Sequence, residues 1–218
     1  TAFPVGFFAG LFGIGGGLIT VPFLFFIFET ANIDKSFIMH LAVGTSFSII
    51  IPTSIVSVFT HRKHKSVDMN IVKTYGFYVI VGVISGTIFA ALMKTKALVL
   101  FFSFVVYFLG TYLLLNTDTM SKAKKKFSIL PRAIFGFISG FVSAPMGIGG
   151  AVMNVPVLKY FGYPIKKAIG SASAIGFIIA VFGAIGFLIS GSFLDSNLPL
   201  SIGFINIPTF LIFIPITT

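Results

Sequence analysis

Long apolar segments separated by short polar gaps run through the whole sequence. A helix of about 20 apolar residues matches the thickness of the hydrocarbon core of a bilayer. By this criterion the apolar segments are 3–28, 37–60, 71–93, 97–115, 132–158, 167–191 and 199–216. The pattern therefore predicts an all-α integral membrane protein.

Composition supports the membrane setting and excludes other partners. The chain has 56% hydrophobic and 9% charged residues, whereas about a quarter of the residues of a soluble domain are charged. The net charge of +10 does not indicate nucleic-acid binding, because the cations cluster in the gaps between apolar runs, as in cytoplasmic loops. With no cysteine, the chain has neither disulfides nor a thiolate metal site. We expect a multi-pass protein of the cell membrane, such as a bacterial inner membrane, in contact with lipid.

The stretch "GLFGIGGGLITVP", residues 10–22, carries five glycines inside an apolar run. Each glycine weakens a helix interior by about 1 kcal/mol relative to alanine. Close helix packing explains glycines spaced four apart, such as Gly82 and Gly86, but it rarely needs three consecutive glycines. We therefore expect a broken or re-entrant helix at this position.

Two stretches of the first half recur in the second half in the same order. "GFFAGLFGIGGGLITVP" at 6–22 aligns with "GFVSAPMGIGGAVMNVP" at 140–156, an offset of 134 residues. "LAVGTSFS" at 41–48 aligns with "KAIGSASA" at 167–174, an offset of 126 residues. The recurrence predicts that the chain is a duplication.

The duplication divides the chain into two repeats joined by a linker. The first repeat is 1–116, a lysine-rich cytoplasmic linker follows at 117–131, and the second repeat is 132–218. On this alignment the second repeat lacks the counterpart of the last span of the first repeat.

The distribution of lysine and arginine favours one topology. If all the apolar segments cross the membrane, nine cations lie on one side and six on the other. If 3–28 and 132–158 instead return to the side they enter from, the ratio becomes twelve to three, which agrees better with the positive-inside rule. Each repeat is then one hairpin plus three spans, so the two repeats are inverted in the membrane. Tilted or broken full-length spans stay open as the alternative.

The doubled motif points to a known family. "GIGGG…VP" followed by "GTS", repeated as "GIGGA…VP" followed by "GSAS", resembles the TauE/SafE sulfite-exporter family, also called sulfur-compound permeases. The resemblance extends over nearly the whole chain. The second copy differs at Ala151, where the first has Gly17, and at Pro145, where the first has Leu11. The resemblance implies a carrier of a small anion, with sulfite, thiosulfate and sulfonates such as sulfoacetate as candidates.

The two glycine motifs are the predicted substrate site. Irregular backbone at the centre of a membrane is tolerated only beside a cavity or ligand, and half-helix N-termini there offer N–H groups to an anion. Hydroxyl and amide side chains on the same segments would add neutral donors. The candidate substrate-binding residues are Gly15, Gly16, Gly17, Thr45, Ser46, Gly149, Gly150, Asn154, Ser171 and Ser173.

Three classes of function compete. The first is an exporter of a small sulfur-containing anion that works by alternating access around the two glycine motifs. The second is an anion channel, which differs in lacking a closed intermediate. The third, an intramembrane enzyme, would need ionisable or metal-binding groups inside the bilayer, yet all five acidic residues lie at span ends or in loops. We therefore expect a transporter with no cofactor and no metal. The sequence leaves open the anion, the direction of transport, the coupling ion and the oligomeric state, for which a homodimer is one candidate.

Overall fold

The computed structural model describes residues 17–115, 127–194 and 198–217. These residues form eight helices and one two-stranded hairpin. In chain order the elements are α1 (Gly17–Thr30), α2 (Ile38–Lys63), α3 (Met69–Leu92), α4 (Thr95–Leu115), α5 (Ile129–Met146), α6 (Ala151–Tyr160), α7 (Ile165–Phe193), β1 (Ser201–Ile202), β2 (Ile205–Asn206) and α8 (Ile207–Thr217).

The structure confirms a helical membrane protein. Among the described helices, five are long and apolar enough to cross a bilayer, namely α2, α3, α4, α5 and α7. The predicted segment 132–158 is not one helix, because α5 ends at Met146 and α6 begins at Ala151.

The predicted span 199–216 is wrong in its first half. Residues 201–206 form an antiparallel hairpin, in which Ser201 pairs with Asn206, and only the 11 residues of α8 are helical. The turn contains Gly203 with φ +55°, and a Cβ at that glycine would overlap the carbonyl oxygen of Leu188. Hydropathy does not distinguish a short apolar hairpin from a helix, since both bury apolar side chains.

Helices α2 and α7 form the centre of the molecule and run antiparallel. Near the start of α2, Phe47 packs on Gly183 in the second half of α7. Towards the end of α2, Ser57 lies 3.3 Å from Ser173 near the start of α7, measured between the hydroxyl oxygens. The middle of each helix therefore lies beside the middle of the other.

Helices α3 and α5 pack closely through small residues. A Cβ at Gly82 would overlap the carbonyl oxygen of Phe137, and a Cβ at Gly140 would overlap that of Val79. Larger residues would force the two backbones apart, so these glycines serve helix packing, which confirms the packing role expected for Gly82.

Candidate functional site

The second glycine motif breaks the polypeptide between α5 and α6. Helix α5 ends in a Schellman motif, in which the N–H of Ile148 donates to the carbonyl of Ser143 over 3.4 Å and that of Gly147 to Ala144 over 3.3 Å. Gly147 has φ +64° and Gly150 has φ +70°. Both angles lie in the left-handed region, which glycine adopts without the steric cost that other residues incur. The glycines of "GIGG" therefore encode the break.

Helices α5 and α6 form a hairpin around this break. The ring of Phe161, which follows α6, stacks on that of Phe127, which precedes α5, with 4.2 Å between centroids. Partway along the hairpin, Ser139 of α5 donates to Asn154 of α6 over 2.7 Å. The chain thus returns to the end from which α5 starts, and the tip of the hairpin is the Gly147–Gly150 break.

The tip lies beside the midpoints of α2 and α7. A Cβ at Gly149 would lie 3.3 Å from Cγ2 of Ile50. Gly176 packs against the carbonyl of Gly149, and a Cβ at Gly150 would overlap Cδ1 of Ile179. The break therefore lies beside the middle of two helices that are long enough to span a bilayer.

The described end of the first glycine motif meets the same break. A Cβ at Gly17 would overlap the carbonyl oxygen of Gly147. That oxygen also accepts a hydrogen bond of 3.0 Å from the Ser46 hydroxyl of α2. Gly15 and Gly16 directly precede Gly17 and lie outside the described residues.

Asn154 presents a buried hydrogen-bond donor to the break. Its side chain is 0% exposed, and its Oδ1 accepts from the Tyr75 hydroxyl over 2.8 Å and from Ser139 over 2.7 Å. Its Nδ2 has no hydrogen-bond partner among the described residues. The Cβ position on Gly150 is 2.8 Å from this nitrogen, so the amide faces the left-handed turn that starts α6.

The start of α6 adds backbone donors beside that amide. The first hydrogen bond of this helical turn runs from the N–H of Asn154 to the carbonyl of Gly150, over 2.9 Å. The N–H groups at 151–153 therefore have no acceptor within α6, and Gly150 offers no side-chain cap. The N-terminus of a helix also carries partial positive charge. Among the described residues, the atoms nearest to a Cβ at Gly147, Gly149 or Gly150 belong to neutral residues.

Thr45 and Ser171 do not face the break; the hydroxyl of each accepts a hydrogen bond from the backbone N–H of a residue that caps a helix. Thr45 Oγ1 accepts from the N–H of Asn206 over 3.0 Å, and Ser171 Oγ accepts from the N–H of Asp68 over 2.9 Å. Asp68 caps the first turn of α3 by accepting from the N–H of Asn70, and Asn206 caps α8 in the same way.

The glycines that precede these two hydroxyls repeat the pattern. A Cβ at Gly44 would overlap the carbonyl oxygen of Phe204, and a Cβ at Gly170 would lie 2.5 Å from that of Ser66. Phe204 and Ser66 each stand two residues before the capping residue. In each half of the chain, therefore, a glycine and a hydroxyl hold the start of a helix from the other half.

Ser173 also takes part in helix packing. Its hydroxyl accepts from Ser57 over 3.3 Å and donates to the carbonyl of Ile169 over 3.2 Å. The structure thus brings five of the predicted residues together at the break and leaves three at helix contacts. The five at the break are Gly17, Ser46, Gly149, Gly150 and Asn154.

Sequence reasoning missed Tyr75 and Ser139, which orient the Asn154 amide. Neither residue belongs to the repeated motif. Tyr75 lies on α3 and is 79 residues away from Asn154 along the chain. One tyrosine in an apolar helix does not indicate such a contact. Only the packing of α3 against the hairpin reveals the contact.

Broken helices inside a multi-pass helical protein are typical of secondary transporters, whose substrate sites they form. The family model described as sulfite exporter TauE/SafE matches residues 1–218. The chain therefore belongs to the TauE/SafE family.

Curated relatives agree with this assignment. A "probable membrane transporter protein" of Haemophilus influenzae is 32% identical over 206 residues, which cover 94% of this chain and 78% of that protein. A protein of the same description from Methanocaldococcus jannaschii is 30% identical over 218 residues, covering 96% and 77%. The "probable membrane transporter protein YunE" of Bacillus subtilis is 27% identical over 206 residues, covering 83% and 73%. No solved structure matches the chain. The family and these relatives indicate a multi-pass membrane transporter.

Proposed function

We propose that the protein exports a small sulfur-containing oxyanion, such as sulfite or an organosulfonate, by alternating access around the α5–α6 break. The observation that carries the proposal is the buried Nδ2 of Asn154, which has no partner in the described part of the chain and faces the N-terminus of α6. A buried donor left unsatisfied costs about 1 to 3 kcal/mol. A bound acceptor would remove that cost.

The chemistry of the site suits a sulfite or sulfonate group. Such a group has three oxygens that accept hydrogen bonds in different directions. The Asn154 amide lies beside Gly150 at the start of α6, where the N–H groups at 151–153 have no acceptor within the helix, and Gly17 contacts the carbonyl of Gly147 at the other end of the break. Because Tyr75 and Ser139 occupy Oδ1, the amide keeps its donor directed at the ligand position. Preorganised donors of this kind bind an anion without a buried cation.

The antiparallel packing of α2 and α7 supports an inverted relation between the two repeats, and with it alternating access. Helices α2 and α7 occupy corresponding positions in the two repeats, and they pack antiparallel. The contacts of Thr45 with Asn206 and of Ser171 with Asp68 lie at opposite ends of this pair. We infer that loosening one contact while keeping the other opens the site to one side at a time, since inverted repeats supply two related conformations.

Transport by proteoliposomes tests the proposal. Uptake of labelled sulfite, sulfoacetate, thiosulfate and sulfate would be compared for the wild type, Asn154→Leu and the control Asn70→Leu, which alters an exposed residue of α3. We expect the wild type to transport one or more of the sulfur anions other than sulfate and to show counterflow, as a carrier does. Transport should be lost in Asn154→Leu and kept in Asn70→Leu. Transport that is equal in both variants would contradict the site, and rapid flux without counterflow would favour a channel.

A further inference from the structure

Arg132 has an unused hydrogen-bond donor at the start of α5. Its Nη1 donates to Oγ1 of Thr74 on α3 over 2.9 Å, and its guanidinium carbon lies 5.2 Å from the ring centroid of Phe127. Its Nε is buried and has no hydrogen-bond partner within the described ranges. A hydroxyl and an aromatic ring thus position the guanidinium, and neither neutralises its charge.

Arg132 lines a cleft between the second and third turns of α3 and the first turn of α5. The cleft has a volume of about 290 Å³ and is lined by Thr74, Phe77, Tyr78, Ile129 and Arg132. Its wall is mostly apolar, and Phe77 is 62% and Ile129 is 74% exposed. In a membrane protein, exposed apolar side chains at the end of a helix face lipid. The cleft therefore joins a lipid-facing surface to a cation.

The surroundings of the cleft favour an anionic occupant. The positive-inside pattern assigns this end to the cytoplasmic side, where the leaflet contains anionic phospholipids. A guanidinium suits phosphate because its planar fork of N–H groups matches two phosphate oxygens.

We propose that this cleft binds the phosphate group of an anionic phospholipid. The Arg132 guanidinium donates to a phosphate oxygen, and Phe77 and Ile129 contact an acyl chain. The apolar, exposed mouth favours a lipid over free phosphate, which would leave those side chains uncovered. The cleft is formed by other residues than the α5–α6 break, so the proposal does not depend on which anion the protein transports.

The test measures lipid retention by the purified protein in nanodiscs. The wild type, Arg132→Gln and the control Lys73→Gln would each be placed in discs of phosphatidylcholine with or without phosphatidylglycerol. The control removes the same charge from a residue that does not line the cleft. Native mass spectrometry counts the phosphatidylglycerol molecules that stay bound. We expect Arg132→Gln to weaken retention by about tenfold or more, the loss of one charge-assisted hydrogen bond, and Lys73→Gln to change it by less than about twofold.

Three outcomes would overturn the proposal. Equal retention by Arg132→Gln and the wild type would show that the guanidinium does not hold lipid. Equal losses from both variants would show a general effect of surface charge. Stabilisation of the wild type by inorganic phosphate in discs of phosphatidylcholine alone, absent from Arg132→Gln, would identify a site for free phosphate. If Arg132→Gln does not fold, Arg132→Lys keeps the positive charge but removes the planar guanidinium, and wild-type retention by that variant would equally contradict the proposal.

Discussion

Two regions of the molecule use the predicted polar residues in opposite ways. At the α5–α6 break, Asn154 keeps a buried donor without a partner in the described structure. At the ends of the α2–α7 pair, Thr45 and Ser171 accept hydrogen bonds from backbone N–H groups of the other repeat. Satisfied groups hold a fold together, whereas an unsatisfied buried donor is free to bind an acceptor from outside the chain. The comparison thus separates the hydroxyls that hold helix ends in place from the position that we propose binds the anion.

The largest effect is expected from Gly150→Leu. The residue has φ +70°, and a Cβ there would overlap Ile179 and lie 2.8 Å from Nδ2 of Asn154. We expect transport to be abolished, because the side chain would fill the space between the amide and the start of α6. Uptake by proteoliposomes measures this loss.

Gly110→Leu is the matched control for that substitution. Gly110 lies on α4, and a Cβ there would meet no described atom within 4 Å. We expect wild-type transport from this variant. Full transport by Gly150→Leu, in protein that elutes as a single species, would remove the break from the binding site.

The next effect is expected from Asn154→Asp. The substitution keeps an oxygen for Tyr75 and Ser139 but replaces the donor half of the amide with a second carboxylate oxygen. A buried negative charge would then face the anion, so we expect apparent affinity to fall by about a hundredfold or more, since the site loses a donor to a charged partner and gains a like charge. The concentration dependence of initial uptake measures this change, and unaltered affinity would contradict the role of the amide.

A smaller and different effect is expected from Thr45→Val and Ser171→Ala. Each leaves a backbone N–H without its acceptor, at Asn206 or Asp68, and should lower the free energy of unfolding by about 1 to 3 kcal/mol. Anion affinity should stay within about twofold of the wild type, since neither hydroxyl faces the break. Thermal unfolding in detergent and equilibrium binding would be measured together. Intact stability with weakened binding would show that these hydroxyls are ligands.

The smallest effect is expected from Ser173→Ala. Its hydroxyl is partly exposed, donates to a carbonyl of its own helix and accepts from Ser57 of α2. We therefore expect the free energy of unfolding to change by less than about 0.5 kcal/mol. Binding should be unchanged. A clear loss of transport would place this serine on the anion pathway.

The sequence predicted the helices and the break well because both depend on local signals. Apolar length marks α2, α3, α4 and α7, and left-handed turns need the glycines at 147 and 150. The hairpin at 201–206 escaped prediction because its residues are as apolar as a span.

The roles of the polar residues depended on tertiary structure. "GTS" and "GSAS" align by repetition, and repetition indicates a shared role without saying which. The partners of Thr45 and Ser171 lie 161 and 103 residues away along the chain. Whether such a hydroxyl faces a ligand or a helix end is decided by packing, which no local pattern encodes.

A structure of the protein with selenite, whose selenium replaces the sulfur of sulfite and scatters anomalously, tests the binding site most directly. We predict an anomalous peak beside the Gly147–Gly150 break, with a selenite oxygen about 3 Å from Nδ2 of Asn154, the usual hydrogen-bond distance. The peak should vanish in Asn154→Asp and persist in Thr45→Val. A peak next to Thr45 or Ser171, or only among the loop lysines, would contradict binding at the broken helix.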